Sequence, residues 1–100
     1  MNFADWLNNK FGDFSIQALA AYLQMDNLEL IAILNGTQIP DYLFLIKVMY
    51  LLNLNTEEQL EFISLASETL DISPNALYVA IVNKLVEMTE ENYSLKRQQQ

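Results

Sequence analysis

The residues of this sequence that could do chemistry are its thirteen carboxylates, because histidine and cysteine are absent altogether. That absence removes the usual zinc ligands, the commonest catalytic base and the thiol nucleophile. The carboxylates do not fill the gap. None falls in an alternating Asp loop closed by glycine of the kind that holds calcium. Two adjacent pairs, Glu57-Glu58 and Glu90-Glu91, are the nearest approach to an acid/base or metal-binding pair. Both read instead as solvated helix ends or exposed faces, where negative charge is placed at little cost. No catalytic residue, metal ligand or cofactor site is expected, and an enzyme is not.

With catalysis set aside, the elements that could present a binding surface come forward. Residues 15–36, SIQALAAYLQMDNLELIAILNG, carry two short apolar stripes, Leu19, Ala20, Leu23 and then Leu30, Ile33, Leu34, separated by the polar break Gln24–Asn27. Each has the spacing of a short helix with one buried face. Ser15 and Asp26 are placed to cap the two helices, and Gly36 stands where a helix end needs a left-handed residue. Two helices of about eight residues joined by about four form a helix-turn-helix.

The flanking chain extends the pattern. Phe3, Trp6, Leu7 and Phe11 predict a first helix over 2–11 with one buried stripe, ended at Gly12. Residues 41–53 predict a fourth helix after the turn at Thr37–Pro40. Thr56 with Gln59 has the form of a capping box and opens a fifth helix to about Leu70. Ser73-Pro74 opens a sixth that continues past Met88. Residues 96–100 are expected to be a flexible polar tail.

The helix-turn-helix resembles that of the phage-repressor-like regulators, the lambda repressor or XRE family. The matching residues are Ser15, Leu19, Ala20 at the tight inter-helix contact, Met25 in the turn, Leu30, Ile33-Leu34 and Gly36. Phe3, Trp6 and Leu7 before it resemble the family's first helix. Thr37, Ile39, Pro40, Leu45, Lys47, Val48, Leu52, Asn53 and Leu54 resemble the segment that follows. The likeness covers roughly residues 3–62. It implies an all-α, lambda-repressor-like bundle of four to five helices over residues 1–55, with a C-terminal helical extension over 56–95.

In that family the second motif helix enters the DNA major groove and its outward residues read base edges, with Lys and Arg on phosphates. The corresponding surface here is Gln17, Asn27, Leu28, Glu29, Ile31, Ala32 and Asn35, of which only Gln17, Asn27 and Asn35 are hydrogen-bonding readers. Residues 1–55 hold two lysines against five acids, and 56–100 three basic residues against eight acidic, for a net charge of −8. Phosphate neutralisation supplies most non-specific DNA affinity, so direct duplex binding is disfavoured. The expected function is a regulatory module acting mainly through a protein partner. The alternative is a sequence-specific regulator that binds DNA as a dimer.

Apolar excess marks where partners would sit. In the fourth helix Leu43, Phe44, Ile46 and Tyr50 add to a family-like buried set, leaving that helix apolar nearly all round. In the sixth, Leu77, Ile81, Leu85 and Met88 form one stripe, widened by Tyr78, Val79, Val82 and Val86. A homodimer through the Leu77–Met88 stripe is expected, with Tyr78 or Tyr93 towards the rim; the competing expectation is that the fifth and sixth helices fold back over the fourth. Hydrophobic residues make up 52% of the chain, yet no run is long enough to span a bilayer. MNFADWLNNK is not a basic start followed by an apolar core, so the chain is expected to be cytoplasmic with no membrane partner.

Overall fold

A computed structural model describes the backbone of residues 1–98 and the side chains as far as Glu91. Six helices account for the ordered elements among these residues: α1 (Phe3–Phe11), α2 (Ile16–Leu23), α3 (Asn27–Leu34), α4 (Tyr42–Leu52), α5 (Thr56–Leu70) and α6 (Pro74–Gln98). The fold is all-α, and every helix starts within a residue of where capping and periodicity place it.

Side-chain caps set most of these starts. The Asn2 carboxamide accepts the Asp5 N–H at 2.8 Å, Ser15 Oγ that of Ala18 at 3.1 Å, Asp41 that of Phe44 at 2.8 Å and Ser73 Oγ that of Ala76 at 3.1 Å. Two caps differ from expectation. Asp26 has the extended backbone of a cap but makes no side-chain capping bond. The box at α5 is built one residue earlier, by Asn55 accepting from Glu58 N–H at 2.8 Å while Glu58 Oε1 accepts from Asn55 N–H at 3.1 Å. Gln59 is unavailable for that role because its side-chain amide donates to Leu54 O at 2.9 Å.

The helix ends are equally definite. Gln24 closes α2 in the left-handed region, and the N–H of Met25 then donates to Ala20 O at 3.0 Å, the paired bonds of a Schellman end. Asp71 does the same for α5, with Ile72 N–H donating to Ser67 O. Gly36, at φ +78°, turns the chain out of α3. Asn8 then holds this corner from α1, its side-chain amide donating to Leu34 O at 2.9 Å.

The apolar stripes meet in one core. Phe3, Trp6, Leu7 and Phe11 of α1 are buried with Leu19, Ala20, Leu23, Leu30, Ile33 and Leu34 of the motif helices. Phe62 of α5 completes this layer: it is wholly buried, with its ring edge-on to Phe3 and tilted against Trp6, both at 5.4 Å between centroids. Such aromatic pairs add to the area they bury. The core runs without a break through α4, Leu54, α5 and α6.

Helix α6 runs over both α4 and α5. Leu77 is wholly buried and Ile81 nearly so, with Leu85 and Met88 half-buried against the same core. Of the stripe expected to form a dimer interface, Leu77 and Ile81 thus lie inside the chain's own core, while Leu85 and Met88 are only partly covered by it. Phe44 and Ile46 are buried as well. The physical reason is shared. An α4 that is apolar nearly all round needs cover on several sides, and α6 supplies one of them. Helix α6 continues to Gln98, into the stretch expected to be a polar tail; residues 99–100 and the side chain of Tyr93 lie outside the described residues.

Candidate interaction surfaces

The motif helices present their outer face to solvent. Gln17, Asn27, Leu28, Glu29, Ile31 and Asn35 are exposed and Ala32 is half-buried. Leu28 is 74% exposed, and Ile31 one turn on is also open. Leu28, Ile31, Ala32 and Asn35 follow i, i+3, i+4, i+7 spacing, so they share a face of α3 opposite the buried Leu30, Ile33 and Leu34. Tyr22 of α2 and Phe14 before it are exposed as well. Asp26 and Glu29 place two carboxylates at the N-terminal end of α3.

Both lysines of residues 1–55 are engaged within the fold. Lys10 forms an ion pair with Glu58, and its ammonium lies 5.5 Å from the centre of the Trp6 ring. Lys10 and the Asn55 N–H, both donating to the Glu58 carboxylate, hold its pKa below the usual carboxylate value. Lys47 donates to Leu23 O at 2.8 Å and lies 3.4 Å from the Gln24 side-chain oxygen. It thereby neutralises the carbonyl end of α2, where a cation is favoured by the helix dipole. Glu58 is the only carboxylate with an ion-pair partner among the described residues.

Beside Lys47 a cleft of about 160 Å³ opens between the α2–α3 turn and α4, with Glu29, Asp41 and Leu43 on its walls. Its polar lining is the Gln24 amide, the Glu29 and Asp41 carboxylates and the Lys47 ammonium. No group of three or more carboxylates that could hold a metal ion occurs among the described residues. Nor is any described helix long and apolar enough to cross a membrane.

A second, more apolar opening lies where α4, α5 and α6 meet. It is a groove of about 290 Å³ lined by Ile46, Met49, Tyr50, Asn53, Leu54, Gln59, Ile81 and Leu85. Tyr50 stands exposed at its rim. Of the eight apolar interface candidates, Tyr50 is freely exposed; Leu43, Leu85 and Met88 are half-buried and the other four are internal.

Among the described residues of α6, the exposed large apolar side chains are the ones that only widened the predicted stripe. Tyr78, Val79, Val82 and Val86 are 63%, 56%, 40% and 50% exposed. They fall within roughly a 100° arc, on the side of the helix turned away from the core. Leu60 of α5, also exposed, was not singled out by sequence. Its signal was available: it lies about 200° around the helix from the buried Phe62. No known protein family, curated protein or solved structure matches this chain.

Proposed function

We propose that this chain is a regulatory module of helix-turn-helix shape that acts through protein contact and not through catalysis, with weak or lost contact to DNA. The observation that carries the reading is the outer face of α3. Where a base-reading helix would offer polar side chains ringed by cations, this one offers Leu28 and Ile31 with Asp26 and Glu29. The two nearest lysines, Lys10 and Lys47, are bound to Glu58 and to the end of α2. A phosphate backbone would meet repulsion and no released counterions to offset it. An apolar face with an acidic border suits a protein partner instead.

The second reading, a sequence-specific DNA regulator, rests on the exposure of Gln17, Asn27 and Asn35 and on the uncapped start of α3. Fluorescence anisotropy with random duplex DNA separates the two. The expected result is no detectable binding at physiological salt, whereas strong binding with a steep salt dependence overturns the proposal. A photo-crosslinking residue at Leu28 should capture a protein in cells, and Glu in place of Ile31 should abolish that product.

A further inference from the structure

The outer face of α6 carries a projecting aromatic ring, and a groove opens beside the same helix. Tyr78 precedes Leu85 by seven residues, so the two lie on one side of α6 about 10.5 Å apart along its axis. Tyr78 projects into solvent, while Leu85 forms part of the groove wall. A projection and a hole displaced along one helix are what a two-fold interface requires, because residue i of one copy meets j of the other and j meets i.

The geometry points to a homodimer in which two copies of α6 pack antiparallel, with Val82 at the two-fold axis and each Tyr78 seated in the other copy's α4–α6 groove. In this register Tyr78 faces the partner's Leu85, Val79 faces the partner's Val86, and Val82 meets its own counterpart. The four large exposed apolar side chains among the described residues of α6 are all covered. The ring of Tyr78 rests against Met49 and Leu85, in a groove that Asn53 and Gln59 also line.

Charge sets the direction. The first turn of α6 has no acidic residue, while Glu87, Glu90 and Glu91 lie exposed further along. Antiparallel pairing about Val82 brings Glu90 beside the first turn of the partner's α6, where the helix dipole favours a carboxylate. Parallel pairing would instead set Glu90, the carboxylate nearest this face, beside its own copy, while Glu87 and Glu91 turn away from Val82. With four apolar side chains and one groove from each copy, the contact belongs with small interfaces, and a dissociation constant of about micromolar order is expected. The inference is independent of what the motif face binds.

Sedimentation equilibrium of the full chain tests it. A species of twice 11.5 kDa is expected across micromolar concentrations. Val82→Glu should be monomeric and still helical, since Val82 is already 40% exposed. Tyr78→Ala should weaken association at least about tenfold, and Leu60→Glu should leave it unchanged. The chain lacks cysteine, so single thiols report the register. Val82→Cys should form a disulfide with itself, and Val79→Cys should cross-link only when mixed with Val86→Cys. A monomeric wild-type chain, a Val82→Glu variant that still dimerises, or self-linking of Val79→Cys each overturns the proposal.

Discussion

Phe62→Ala is the most informative change to make in the core, because Phe62 joins α5 to a head that would otherwise resemble a closed unit. The ring is wholly buried and contacts both Phe3 and Trp6 with centroids 5.4 Å apart. Truncating a buried Phe costs about 3–5 kcal/mol, through lost transfer energy and the cavity left behind. Losing two aromatic contacts places this site at the upper end of that range. Total stability of a domain this size is about 5–15 kcal/mol, so a third or more of it should vanish. The midpoint of thermal unfolding should fall by roughly 15–30 °C. Urea unfolding followed by the fluorescence of Trp6, the chain's single tryptophan, reads the change at the contact itself. Leu60→Ala, two residues earlier and 68% exposed, should shift stability by no more than about 0.5 kcal/mol. A loss below about 1 kcal/mol for Phe62→Ala would show that α5 is not integral to the core, and equal losses at the two sites would refute the helical register.

Leu30→Ala, at a wholly buried position where the motif helices cross, should cost about 2–5 kcal/mol in the same denaturation assay. Gly36→Ala should destabilise by about 1 kcal/mol through its backbone at φ +78° alone, since an added Cβ would lie 3.8 Å from that of Ala4, an ordinary contact. Glu58 ionises more readily in the folded chain than in the unfolded one, so its contribution is present above the ordinary carboxylate pKa. It should be lost as pH falls through the lowered folded value. The stability difference between wild type and Glu58→Gln, measured by urea titration, should therefore be largest near neutral pH and shrink in acid; a difference that grows in acid would contradict the Lys10–Glu58 pairing.

Local structure was legible in the sequence because its determinants are local. The stripes of α1, α2 and α3 follow a 3.6-residue period, and Asn2, Ser15, Asp41 and Ser73 cap the amides a few residues ahead of them. The charge argument at the motif was legible too, since no cation stands between Lys10 and Lys47. That both lysines are tied down was not, because Glu58 and Leu23 reach them from distant parts of the chain. The largest difference concerns α6. Periodicity showed two apolar faces, Leu77 with Ile81 and Tyr78 with Val82, but both are compatible with a buried helix. Only the tertiary structure decided which one is inside. The rotation of α6 is set by how its side chains fill the gap that α4 and α5 leave open, and packing of that kind depends on contacts between residues far apart in sequence.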